Sequence, residues 1–184
     1  GSGKAKIKAG IGILDHMLEL FSFHGLFDLE IIAKGDFNID IHHTNEDIGI
    51  VLGEAFKKAL GDKNGIKRFG SASVPMEDVI AKATVDISGR GHFSLCTDKK
   101  KLEAVDALKV LWTDEKIQLK DVMHFFESFA KHLGMNFNIA VENLSSDLHT
   151  TLEPIFKALG IALDQATQID PRRKGIPSTK GVID

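Results

Sequence analysis

The chain has 184 residues, 43% of them hydrophobic and 27% charged, and a formal net charge of -3. That length and balance predict a globular protein that buries roughly two-thirds of its unfolded surface. They exclude nucleic acid as the main partner, which needs clustered Lys and Arg, and a membrane-spanning helix, which needs about 18 apolar residues in a run. Cys96 is the single cysteine, so no intrachain disulfide forms. Nothing at the N-terminus reads as a signal or transit peptide, and the expected location is the cytoplasm.

In chain order, residues 1–8 predict a short strand around Ile7, broken by Gly10-Ile11-Gly12. From Leu14 the apolar positions Met17, Leu18 and Phe21 recur at helical spacing, with Asp15 as the expected cap and Gly25 as the stop. Residues 27–33 and 37–41 predict a β-hairpin that delivers the chain to His42. A helix is expected over 48–60, strands over 72–74, 81–87 and 92–96, and the run Lys99-Lys100-Lys101 reads as a solvated face. An amphipathic helix over 119–133, a strand over 136–141 and a helix over 151–166 complete the pattern.

The stretch His42-His43-Thr44-Asn45-Glu46-Asp47 carries the chemistry. A carboxylate three positions after the second imidazole puts His43 and Glu46 on one helical face and points His42 elsewhere, an arrangement suited to two metal ions. Imidazole and carboxylate are ordinary ligands for Mn, Fe, Zn or Ni, so the residues leave the metal open. The same stretch also suits a polar lead-in to the helix, with Glu46 and Asp47 at its positive N-terminus.

The pattern occurs nearly twice. His16 aligns with His124, Phe21 with Phe129 and His24 with His132; then His42 falls on His149, Glu46 on Glu153 and Gly53 on Gly160. An offset of about 107 residues implies a duplicated unit. The expected fold is therefore α+β: two duplicated strand/helix halves, residues 1–92 and 93–184, related by a pseudo-twofold within one compact domain, with sheets packed against a helical layer. Where His43 stands in the first half, the second has Thr150. Thr150-Thr151-Leu152-Glu153 also reads as a capping box, which leaves Glu153 open as either cap or ligand.

With these residues in hand, the chain resembles the imidazoleglycerol-phosphate dehydratase family of histidine biosynthesis. The likeness runs through 10–18, His24-Gly25-Leu26-Phe27-Asp28-Leu29, His42-His43-Thr44-Asn45-Glu46-Asp47, Arg68-Phe69-Gly70, Val74-Pro75-Met76, Ser88-Gly89-Arg90, Phe156-Lys157-Ala158 and Pro177-Ser178-Thr179-Lys180-Gly181. The resemblance implies a hydro-lyase that converts imidazole glycerol phosphate to imidazole acetol phosphate. It implies two Mn ions per active site, held by His16, His42, His43, Glu46, His124, His149 and Glu153, with Thr150 at the eighth ligand position. Glu153 is the implied proton-transfer residue. His24, Arg68, Arg90, Lys157, Ser178, Thr179 and Lys180 match the substrate and phosphate contacts, and the implied assembly is of trimers building a 24-subunit shell. The alternative is a catalytically impaired member that binds metal and assembles, a reading that draws on Thr150.

Overall fold

The computed structural model describes residues 1–36, 38–97 and 117–183. Strand β1 (Ala5–Lys8) leads into helix α1 (Gly12–Gly25), then β2 (Leu29–Ile32) and helix α2 (Ile41–Leu60). Strands β3 (Phe69–Met76), β4 (Val79–Asp86) and β5 (His92–Cys96) follow. Helix α3 (Leu119–Leu133), strand β6 (Asn136–Glu142) and helix α4 (Leu148–Thr167) end the ordered pattern. The lysine run at 99–101 lies outside the described residues.

Two sheets result. β1 pairs with β2 in parallel, and a four-stranded sheet runs in the order β3-β4-β6-β5 with only the β5/β6 pair parallel. On β4 the residues Val79, Ala81, Ala83 and Val85 are buried and alternate with more exposed neighbours, the period of a strand with one face on a core. Helix α4 packs on β3 and β4. Gly70 permits that approach, since a Cβ there would stand 1.8 Å from the Ala162 carbonyl oxygen.

The helices pair across the halves: α1 lies on α4, and α2 lies on α3. Both crossings turn on a glycine against a phenylalanine backbone. A Cβ at Gly160 would stand 2.6 Å from the Phe21 carbonyl oxygen, and one at Gly53 would stand 2.8 Å from that of Phe129. These are corresponding residues of the repeat. Phe21 and Phe129 also meet each other edge-on with ring centroids 6.1 Å apart, and Phe125, Phe126, Phe137 and Phe156 fill the space around them with almost no exposure. Truncating any one of these rings to alanine costs about 3–5 kcal/mol.

Four local expectations are corrected. The hairpin is not formed: β2 ends at Ile32, and residues 33–36 and 38–40 hold no strand, Phe37 lying outside the described residues. Helix α2 begins at Ile41, seven residues before the expected start, because Asp40 caps it by accepting the His42 N–H at 2.9 Å. Helix α1 starts at Gly12 without a side-chain cap; Asp15 instead accepts the Ala9 N–H at 2.8 Å and ties the first turn to the end of β1. Helix α4 is capped by Asp147, which accepts the Thr150 N–H at 3.3 Å, so Thr150 and Glu153 form no capping box. Pro154 consequently sits inside the helix, where its missing N–H leaves the Thr150 carbonyl without its helical partner.

Candidate metal and active site

Two clusters of imidazole and carboxylate form where the helices cross. In the first, His16 comes from α1 while His149 and Glu153 come one turn apart from α4. His149 Nε2 lies 2.8 Å from Glu153 Oε2, and His16 Nε2 lies 3.8 Å from the same oxygen. The two rings are 5.2 Å apart. One ligand atom from each of the three residues falls within 4.8 Å of the others. Two neutral imidazoles and a carboxylate are a donor set for a first-row transition ion, so the residues fit such a metal by chemistry as well as by spacing.

The second cluster uses the corresponding residues with the halves exchanged. His124 comes from α3, and His42 and Glu46 come from α2. The His42 and His124 rings are 4.4 Å apart with their Nδ1 atoms at 3.0 Å, and His42 Nε2 lies 3.9 Å from Glu46 Oε2. Starting α2 at Ile41 makes these two residues an i,i+4 pair, so His42, and not His43, is the residue facing Glu46. This reverses the facing expected from the sequence. His43 turns the other way: its Nδ1 meets Asp36 Oδ2 at 3.2 Å, at the edge of a groove of about 520 Å³ lined by Ile31, Ile32 and Val51.

Around the first cluster the charge is balanced. Lys157, one turn beyond Glu153, donates to Glu153 Oε1 at 2.5 Å. Burial opposes ionisation of Glu153, but hydrogen bonds from Lys157 and His149 outweigh it and hold the carboxyl below its ordinary range. His24, in the last turn of α1, shares this neighbourhood. Burial first, and the Lys157 charge second, push its imidazole below the ordinary value, against the pull of Glu153.

The remaining sequence candidates lie apart from the histidines. Arg68 makes a two-pronged pair with Asp86, at 2.6 and 3.0 Å, and donates to the Pro177 carbonyl at 3.0 Å, so it anchors the C-terminal segment. The Asp86 hydrogen bond raises the Arg68 pKa further, so the guanidinium stays charged. Ser178 is half-buried and accepts the Lys180 N–H at 3.2 Å, while Thr179 and Lys180 are exposed. Arg90 is exposed in the 88–91 turn, where Ser88 and Asn136 hold its carbonyl. Among the described residues, none of Arg68, Arg90, Ser178, Thr179 and Lys180 makes a hydrogen bond or ion pair to either cluster.

One carboxylate that the motifs do not reveal borders the second cluster: Asp121, with its side chain 6% exposed, places Oδ1 3.9 Å from His42 Nδ1. The only sequence signal for Asp121 is its position three residues before His124, on the same helix.

The family model "Imidazoleglycerol-phosphate dehydratase" matches residues 9–163. The chain is 48% identical to the protein of that name from Bacillus subtilis over 183 residues, covering all of this chain and 89% of the relative. It is 49% identical to the one from Geobacillus kaustophilus, covering 88% of it. In structure it resembles the imidazoleglycerol-phosphate dehydratase of Staphylococcus aureus, with a TM-score of 0.76 and 31% identity over 92% of this chain and 91% of that one. It also resembles the Pyrococcus furiosus enzyme in complex with (S)-C348, with a TM-score of 0.78 and 33% identity over 97% and 90%. Among the described residues, no helix is long and apolar enough to cross a membrane. With the family pattern matched along most of its length and four of its eight histidines gathered in two corresponding clusters, the chain belongs to the imidazoleglycerol-phosphate dehydratase family.

Proposed function

We propose that the chain is a metal-dependent hydro-lyase of histidine biosynthesis that removes water from imidazole glycerol phosphate to give imidazole acetol phosphate. The observation that carries this reading is the pair of His-His-Glu clusters, each built from the first helix of one half and the second helix of the other. We read them as parts of two manganese sites: His16, His149 and Glu153 in one, and His42, His124 and Glu46 in the other. His43 is a further ligand, offered to a neighbouring copy. The working enzyme on this reading is a cytoplasmic homo-oligomer of 24 subunits assembled from trimers, and the chain itself is two duplicated halves, 1–92 and 93–184.

In the reaction a C–O bond breaks beside the imidazole ring, a proton leaves the adjacent carbon, and the resulting enol becomes the ketone. The substrate has no carbonyl to acidify that C–H bond. When bound, the metal supplies Lewis-acid polarisation of the ring and holds it in place. Glu153 is the residue we assign to proton transfer. Its Oε1 is fixed by Lys157, which orients the carboxylate and keeps it ionised, the form a base requires. His24 borders this position and is assigned to substrate contact. The phosphate is assigned to Lys157, Arg68, Arg90, Ser178, Thr179 and Lys180, whose cationic and hydroxyl groups suit a dianion. On this assignment Arg68 acts both directly and by holding the 177–180 segment.

Conversion of imidazole glycerol phosphate is followed by NMR with the protein as isolated, after chelation, and after return of Mn. Activity that is lost and then restored is expected, with Glu153→Gln lowering kcat by about 10²–10⁴-fold. Full activity of a verified metal-free protein overturns the metal dependence, and full activity of Glu153→Gln overturns the proton-transfer role.

A further inference from the structure

We propose that Asp121 is a positioning residue for His42, its carboxylate holding the Nδ1–H of that ring so that the Nε2 lone pair faces Glu46 and His124. The inference deepens the metal reading above and rests on it for its consequence, though not for its geometry. His42 lies between two carboxylates, one for each ring nitrogen: Nε2 is 3.9 Å from Glu46 Oε2, and Nδ1 is 3.9 Å from Asp121 Oδ1. The two carboxylates are not alike. Glu46 is half-exposed, whereas the Asp121 side chain is 6% exposed. A buried carboxylate is costly unless donors reach it. Asp121 receives one such donor on Oδ2, the Gln118 N–H at 2.8 Å in the α3 capping box. Its Oδ1 lies 3.9 Å from His42 Nδ1, and a hydrogen bond between them requires the imidazole to turn its Nδ1 off His124 Nδ1, which stands 3.0 Å from it and 3.3 Å from Nε2.

The repeat shows that this carboxylate is specific to one cluster. With His16 set on His124, Asp121 falls on Ile13, an apolar residue 8% exposed. Conversely Lys157, which neutralises Glu153 in the first cluster, falls on Ile50 in the second. One cluster thus carries an added cation on its glutamate, and the other an added anion behind its histidine. A histidine that ligates a metal through one nitrogen is oriented by an acceptor at the other, and loss of such an acceptor weakens metal binding by about 10–100-fold. Asp121 is placed to be that acceptor.

The test compares the full-length parent with Asp121→Asn, which keeps an oxygen for the Gln118 N–H and therefore the helix cap. Solid-state ¹⁵N spectra of histidine-labelled, metal-free protein report the His42 tautomer, with its signals assigned by their loss in His42→Gln. The parent is expected to hold the proton on Nδ1, and the variant to lose that preference. Titration of Mn into each metal-free protein is expected to show one class of site weakened about 10–100-fold and the other unchanged, with the melting temperature maintained. If Asp121→Asn fails to fold, Asp121→Ser, which also keeps a cap oxygen, takes its place. An identical His42 tautomer in parent and variant, or unchanged Mn affinity at both classes of site, overturns the proposal. If the parent binds no Mn, the metal reading fails, and the tautomer comparison still decides the role of Asp121.

Discussion

Gly160 lies so close to the Phe21 backbone that a single added carbon would stand 2.6 Å from its carbonyl oxygen. This contact sets the distance between α1 and α4, and with it the distance between His16 and the His149/Glu153 pair. The expected outcome of Gly160→Ala is a loss of about 1–3 kcal/mol from overpacking, larger than the roughly 1 kcal/mol gained in helix propensity. Metal binding at the first cluster should fall with it. Gly53→Ala should do the same to the α2/α3 crossing and the second cluster. Urea unfolding and metal content per chain check both, and an alanine at either position that leaves stability and metal content intact would contradict the assignment.

The amphipathic helix at 119–133 was legible to the residue, because its apolar stripe is unbroken and Gly134 supplies the left-handed stop. The pairing of His16 with His124 and of His42 with His149 was legible too, since spacing survives duplication. What the spacing does not contain is which helix crosses which. That depends on Gly53 and Gly160 meeting phenylalanine carbonyls more than seventy residues distant. The extended character of 37–41 concealed the α2 start, which a single Asp40 side chain decides, and with it the facing of His42 and Glu46. Asp121 reads as an ordinary helix-start carboxylate until α2 brings His42 against it.

Asp28 tests the acid side of stability. Its Oδ1 accepts N–H groups from Lys4 and Ser2, and those bonds hold its pKa at about 2. A depressed folded-state value means stabilisation that is present above the ordinary value of 3.8 and lost as pH falls through about 2. Asp28→Asn should therefore be less stable than the parent at neutral pH, with the gap narrowing as pH drops below about 4. Urea midpoints across that range measure it; a gap that stays constant with pH would mean the charge contributes nothing.

Arg68→Lys separates charge from geometry. Lysine keeps the positive charge but cannot make the two-pronged pair with Asp86 and reach the Pro177 carbonyl together. The pair is mostly buried, with side chains 19% and 26% exposed, so a loss of about 1–3 kcal/mol is expected. The C-terminal segment should also loosen, which hydrogen exchange of the Gly181 amide, bonded to the Ser178 carbonyl at 3.0 Å, reports. Parent-like exchange there would show that Arg68 does not anchor the segment.

Asp147, and not Thr150, should carry the cap energy of α4. Asp147→Ala is expected to cost about 1 kcal/mol, while Thr150→Gly and Thr150→Ala should differ from each other only by helix propensity at this position. Equilibrium unfolding decides it. A Thr150→Ala variant whose loss exceeds that of Asp147→Ala, with the metal removed from both, would restore Thr150 as the cap.

The last prediction concerns assembly. Each cluster supplies three protein ligands from one chain, fewer than an octahedral ion accepts, and His43 turns its 54%-exposed side chain away from Glu46. A ring that is exposed and aimed away from its own cluster is available to a second copy. On the proposed function, metal and subunit contacts then share ligands, so removing the metal should separate the particle into smaller units. His43→Ala should do so partly even with Mn present, while leaving the fold intact because the ring is not packed in the core. Light scattering of the parent before and after chelation, and of His43→Ala in Mn, makes the comparison. A particle mass unchanged after verified loss of the metal would show that the subunits hold together without it.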